Sequence, residues 1–158
     1  MTQTRPLLFR IAGPSNSGKT TYLMELIKRL KEHNLNVATI KHSHHKLDVI
    51  SRKDGHKLGT LAPNVTVGRD RMILDEPVQA PPNLFELVER FYSEMDVVLV
   101  ESWREDAIPT LLIANPPTNW VVPEGVLART MDVVSETFEA MPVWGIDNVV
   151  DWVLTSSR

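Results

Sequence analysis

Gly13-Pro14-Ser15-Asn16-Ser17-Gly18-Lys19-Thr20 satisfies G-x-x-x-x-G-K-[ST] at every fixed position. Those residue types at that spacing bind phosphate. Glycines let the backbone approach an anion closely, and successive N–H groups converge on it. A helix starting at the loop's end adds the positive end of its dipole. Lys19 supplies a full charge for β- and γ-phosphates, and the Thr20 hydroxyl can hold Mg²⁺. A chance glycine turn would lack the flanks this loop has. Leu7-Leu8-Phe9-Arg10-Ile11-Ala12 precedes it as a buried strand, and Leu23, Leu26, Ile27 and Leu30 follow at helical spacing.

A second site is Asp96-Val97-Val98-Leu99-Val100-Glu101, four apolar residues closed by an acid, which resembles a Walker B strand. Mg²⁺ prefers oxygen ligands and keeps several waters. An acid at the carboxyl end of a strand beside the phosphate loop can hold the ion or one of its waters. Glu101 has that position, whereas Asp96 begins the strand and faces away. Many buried strands end in an acid, so the reading depends on the loop beside it.

A third is Lys41-His42-Ser43-His44-His45-Lys46-Leu47-Asp48, directly after the next strand. Loops there border the ligand crevice of a parallel sheet. His42, His44, His45 and Asp48 could ligate a transition metal. A solvated or phosphate-sensing loop fits the pattern better. Asp48 could reach Mg²⁺ as a switch residue, and Lys41 could add charge near the phosphates or simply be a surface lysine. Arg104, in Ser102-Trp103-Arg104, could contact phosphate or a partner's acid. Trp103 could equally be a core or interface residue or a ligand contact, whereas Trp120, Trp144 and Trp152 read as packing residues. No Asn-Lys-x-Asp occurs, so the residues alone leave guanine and adenine both open. No catalytic residue is assigned.

Alternating elements must position these groups. The pattern predicts strands over 7–12 and 37–40, with a helix over 19–33 between them. A hairpin follows, with arms 64–67 and 71–74 turning through Gly68-Arg69-Asp70. Asn83 caps a helix that buries Leu84, Leu87, Val88 and Phe91, with Glu86 three residues on. Residues 97–100 and 110–114 read as buried strands, 126–128 as a short one, and a closing helix begins after Asp147. The 41–57 segment shows no clear period. The expected fold is α/β, a P-loop NTPase three-layer sandwich. Its sheet is mostly parallel with helices on both faces, and the hairpin is an antiparallel addition.

The chain has 158 residues, 42% hydrophobic and 23% charged, and a net charge of −3. One domain over 1–158 is expected, with a core that needs no staples. No basic excess points to nucleic acid. The absence of cysteine excludes disulfides, thiolate catalysis and Cys-ligated metal. Met1–Pro6 leads into an apolar run too short for a signal peptide, and no stretch has the length of a membrane span. A cytoplasmic protein with no nucleic-acid or membrane partner is expected.

Three separated segments share a resemblance: Gly13 to Thr21, Ile40 to His45 with Asp48, and Asp96 to Glu101. In that order they resemble the molybdopterin-guanine dinucleotide biosynthesis adapter family, MobB. The Lys-His-x-His-His run is its specific part. Lys53-Asp54-Gly55 is similar to the family's Lys-Asp-Ser step. The resemblance covers residues 7 to about 113. It implies a GTP-binding, usually dimeric protein that assists a MobA-like molybdopterin nucleotidyltransferase, the enzyme joining GMP to molybdopterin. Weak GTP hydrolysis is implied as well. By this resemblance Gly13, Pro14, Ser15, Asn16, Ser17, Gly18 and Lys19 cradle the phosphates, and Thr21 contacts the α-phosphate end. Thr20 and Glu101 organise Mg²⁺, and Lys41, His42, His44, His45 and Asp48 form the switch loop. The chain departs from the family at two steps. Glu101-Ser102-Trp103-Arg104 replaces Glu-Gly-Phe-Lys, and residues 58–63 replace an Ala-Gly-Ala stretch.

Two rival readings use the same scaffold. A small-molecule kinase would need an acceptor pocket and an arginine-bearing lid, for which Arg52, Arg69, Arg71 and Arg104 could supply cations. A metal-insertion GTPase would use the His42–His45 loop.

Overall fold

Val97-Val98-Leu99-Val100-Glu101 is buried along its whole length because it runs through the interior of a parallel sheet. A computed structural model describes residues 5–43, 54–80 and 82–157. In chain order the elements are β1 (Leu7–Ala12), α1 (Lys19–Glu32), β2 (Val37–Lys41), α2 (Asp54–Gly59), β3 (Asn64–Val67) and β4 (Met72–Asp75). Then come α3 (Leu84–Tyr92), β5 (Val97–Glu101), β6 (Thr110–Leu112), β7 (Val126–Arg129) and α4 (Ile146–Ser156), with a 3₁₀ turn at Glu136–Phe138.

The chain divides into two compact units, one of residues 1–42 and 84–158, the other of 43–83. The first holds a five-stranded sheet in the order β2-β5-β1-β6-β7. All its strand pairs are parallel. Side chains alternate across the sheet. Val97 and Leu99 therefore join Phe9, Ile11 and Leu111 under Leu23, Leu26 and Leu30 of α1 and Val149, Val150 and Val153 of α4. Val98 and Val100 point the other way, with Ala38 and Ile40, against Leu84 and Val88 of α3. Truncating a fully buried leucine such as Leu26 costs about 2–5 kcal/mol. A third cluster of Ala12, Leu112, Val133 and Phe138 closes the β6 side. This is the expected α/β sheet with helices on both faces.

The second unit contains α2 and the antiparallel pair β3–β4, registered Val65 with Leu74 and Val67 with Met72. The turn closes through the Gly68 N–H donating to the Arg71 carbonyl at 2.8 Å. His56 Nδ1 lies 2.7 Å from Asp75 Oδ2, joining α2 to β4.

Several boundaries differ from expectation. The second hairpin arm starts at Met72, because Arg71 belongs to the turn. On α3, Leu84 and Val88 are buried and Tyr92 continues their i+4 stripe into the core, so Phe91 stays exposed. The helix α4 starts at Ile146, one residue before Asp147, capped at Gly145 by the Asn148 side chain. α2 occupies part of the segment that shows no period. β6 ends at Leu112, not 114. No helix among the described residues is long and apolar enough to cross a membrane.

Candidate nucleotide-binding site

The carboxyl end of β1 opens into the 13–18 loop, and α1 begins at Lys19. The loop needs its terminal glycines for different reasons. A Cβ at Gly13 would sit 2.7 Å from Ser17 Oγ and 3.3 Å from Ile113 Cγ1. Gly18 has open space around it but φ of +86°, a left-handed conformation. Asn16 is also left-handed, at 58°. Alternating handedness turns successive N–H groups toward one concavity, the geometry of an anion nest.

Lys19 is buried and closes that concavity. Its Nζ donates to the carbonyl oxygens of Gly13, at 3.0 Å, and Pro14, at 2.6 Å. Burial lowers its pKa; Glu101 acts against the shift, and Lys41 and Arg104 add to it. Ser17 Oγ is buried and has no hydrogen-bond partner among the described residues.

β5 delivers the acid. Glu101 is buried and its carboxylate meets the Thr20 hydroxyl at 3.2 and 3.1 Å. Its register partner on β2 is Lys41, whose Nζ lies 3.0 Å from Glu101 Oε1. The next residue, His42, donates its backbone N–H to the Glu101 carbonyl, and its ring packs 5.1 Å from that of Trp103. The structure thus brings Lys19, Thr20, Glu101, Lys41 and His42 together. His44, His45 and Asp48 lie outside the described residues. Asp96 sits at the opposite end of β5, where its Oδ2 accepts from the Asn36 N–H at 2.6 Å.

Ser102 follows Glu101 with φ of 66°. The glycine of the Glu-Gly-Phe-Lys step suits that conformation; a serine there costs about 1–2 kcal/mol. Arg104 is exposed and stacks over Trp120 at 4.9 Å, close enough to influence Lys19.

Arg10 also builds the site, although in the sequence it stands only as part of an apolar strand. It is fully buried. Its Nη1 donates to the carbonyls of Trp103, at 2.7 Å, and Asp106, at 2.8 Å, and its Nη2 to that of Glu124. Its Nε donates to Thr110 Oγ1 at 2.8 Å. Burial lowers its pKa, opposed by Asp106 and Glu105. The guanidinium fixes the loop that leaves Glu101. A charged residue inside an otherwise apolar strand is the signal that could have found it.

The profile of the family described as "MobB: Molybdopterin guanine dinucleotide synthesis protein B" matches residues 8–135. The chain belongs to that family. It is 32% identical over 121 residues to the molybdopterin-guanine dinucleotide biosynthesis adapter protein of Haemophilus influenzae, covering 74% of this chain and 68% of that protein. The adapter of the same name from Escherichia coli is 29% identical over 92% of this chain and 93% of its own length. A crystal structure of molybdopterin-guanine biosynthesis protein B superposes with a TM-score of 0.74. It is 22% identical over 96% of this chain and 99% of its own. That likeness supports the fold.

Proposed function

We propose that this MobB-family chain is a GTP-binding adapter that assists the nucleotidyltransferase attaching GMP to molybdopterin. The observation that carries the nucleotide part is the contact of Thr20 with Glu101 beside the Lys19-closed loop. A phosphate chain fits this donor set: the loop N–H groups, the unpartnered Ser17 hydroxyl and the Lys19 ammonium. Gly13, Pro14, Ser15, Asn16, Ser17 and Gly18 would surround it, with Thr21 at its α end. Mg²⁺ fits the Thr20 and Glu101 oxygens, a hard-ligand pair that leaves room for water. When bound, the ion supplies charge neutralisation at the phosphates.

The chain's own residues do the rest. Lys19 exchanges carbonyl oxygens for phosphate oxygens, a local move by a side chain already in place. Lys41 shares Glu101 and so ties the end of β2, from which the chain leads into residues 42–57, to the ion site. A nucleotide that changes this pairing is readable by a partner through that segment. Fast hydrolysis needs a positioned water and a cation at the developing charge. Arg104, held on Trp120, could supply the cation, but no water-positioning residue stands out among the described residues, so slow turnover is expected. The protein acts in the cytoplasm as a homodimer. Family membership favours the adapter over both the kinase and the metal-insertion GTPase.

The test is reconstitution of molybdopterin, GTP and the transferase, with and without this protein and its Lys19→Ala form. Wild type should stimulate dinucleotide formation and Lys19→Ala should not. No stimulation and no binding to the transferase, with rapid phosphate transfer to a small acceptor, would promote the kinase.

A further inference from the structure

A second cleft opens from the other flank of the phosphate loop. In the sheet order, β1 lies between β5, which carries Glu101, and β6. The ion side of the loop is therefore over β5 and β2, and the opposite side is over β6 and β7. There a cavity of about 820 Å³ begins at Ser17, Gly18 and Thr21 and runs to the segment after β7 and the start of α4. Its size is in the range of small-molecule sites. A nucleotide held by its phosphates at the loop has this cleft in which to place the remainder of the molecule.

The cleft's chemistry is selective. Its walls are mostly apolar, with Ile113 and Ile146 beside Trp144 and Met131. Such surfaces accept the faces of a flat heteroaromatic ring. Two carboxylates line it. Glu25 is engaged by Arg29 at 3.0 Å. Asp132 makes no hydrogen bond or ion pair among the described residues, and it is exposed at the cleft rim. Its segment is fixed on both sides. The Thr130 hydroxyl donates to the Ile113 carbonyl at 3.0 Å, and the Thr130 N–H donates to that of Leu112 at 2.9 Å. Beyond Asp132, Asn115 Oδ1 accepts from the N–H groups of Val134, at 2.8 Å, and Ser135, at 3.0 Å. An unpaired acceptor is thus presented from an anchored turn.

We propose that this cleft is the base subsite, that Trp144 and Met131 form its platform, and that the Asp132 carboxylate selects guanine. The inference rests on the nucleotide reading above and adds the determinant of base choice. Guanine presents two adjacent donors, N1–H and the 2-amino group, which a carboxylate accepts as a bidentate pair. Adenine opposes an N1 lone pair to the same carboxylate and lacks the second donor. A site built around such a pair rejects an analogue that leaves it unmade.

Calorimetric titration with GTP, ATP, XTP and inorganic tripolyphosphate separates the possibilities. Wild type should bind GTP at least about tenfold more tightly than ATP. Asp132→Asn should weaken GTP about ten- to a hundredfold. The same change should improve XTP, whose 2-oxo group accepts from the new amide. Tripolyphosphate has no base, so Asp132→Asn should leave it as tight or slightly tighter. Trp144→Ala should weaken GTP and ATP alike. Unchanged GTP affinity in Asp132→Asn, or equal wild-type affinity for GTP and tripolyphosphate, overturns the base subsite while the phosphate site stands. A wild type that binds none of the four defeats the nucleotide reading and this inference with it.

Discussion

The Thr20 hydroxyl lies 3.2 and 3.1 Å from the two carboxylate oxygens of Glu101, joining the first turn of α1 to the end of β5 across 81 residues of chain. Both oxygens face the phosphate loop side, and Lys41 takes one of them as well. In the proposed Mg²⁺ site the carboxylate would thereby be oriented before the cation arrives, which lowers the ordering cost of binding one.

Glu101→Gln keeps the size of the side chain and removes the charge that attracts a divalent ion. Mg²⁺-dependent GTP binding should fall by roughly tenfold or more. Binding measured in excess chelator should be unchanged or slightly tighter, because a negative charge near the phosphates has gone. Parallel losses with and without Mg²⁺ would show that Glu101 does not serve the ion.

Lys19 gives a pH signature. Burial lowers its pKa from 10.5, with Lys41 and Arg104 adding to the effect and Glu101 opposing it. The protonated form binds phosphate, so affinity is full below the lowered pKa and falls as pH rises through it. The decline therefore starts earlier than an ordinary lysine would give. Folding responds with the opposite sign: the unfolded chain holds this proton more tightly, so stability rises with pH over the same window. Tripolyphosphate titrations from about pH 7 to pH 10 read the binding limb. Wild-type and Lys19→Ala profiles of the same shape would remove Lys19 from the site.

Arg10 predicts a stability effect. Arg10→Leu strands the carbonyls of Trp103, Asp106 and Glu124 without their charged donor. A buried acceptor left unmade costs about 1–3 kcal/mol; the Trp103 carbonyl is buried and those of Asp106 and Glu124 only partly so, and a loss of about 2 kcal/mol or more is expected. Arg10→Lys should recover only part of it, since an ammonium cannot reproduce the fork. Urea unfolding measures both. A loss under about 1 kcal/mol for Arg10→Leu would mean that the loop after Glu101 is held by something else.

The parts of the site visible in the sequence were those with fixed local spacing. Gly13 to Thr20 reads from its own pattern, and Glu101 from a four-residue apolar run that only a central strand needs. The strands and α1 were legible because burial on one or both faces imposes a period. Arg10 was not, because its partners come from the loop after β5, the loop before β7 and the start of β6, far along the chain, and none has a sequence signal. Asp132 and Trp144 belong to a cleft assembled from the ends of β6, β7 and α4, so no linear motif marks them. Phe91 and Tyr92 are adjacent aromatics, and only the direction of α3 on the sheet decides which is covered. At Ser102, a polar type conceals a position whose backbone favours glycine.

The hairpin carries the last prediction. Opposed residues of an antiparallel pair share a face, and the register places Val65, Leu74, Val67 and Met72 on one side of β3–β4. All four are exposed, Val67 at 76% and Met72 at 73%. The other side carries Asn64, Thr66, Ile73 and Asp75, where Asp75 pairs with His56 of α2. A two-stranded pair is marginal in water, and an apolar face on it invites association. A second copy of the same hairpin supplies a matching face under twofold symmetry. The 17.9 kDa chain should therefore scatter light as a dimer, about twice that mass. Val67→Glu combined with Met72→Glu should yield a folded monomer that still binds GTP, because the phosphate loop takes no residue from β3 or β4. A wild-type monomer at micromolar concentration, or a dimer that survives the double substitution, would show that this face is not the contact.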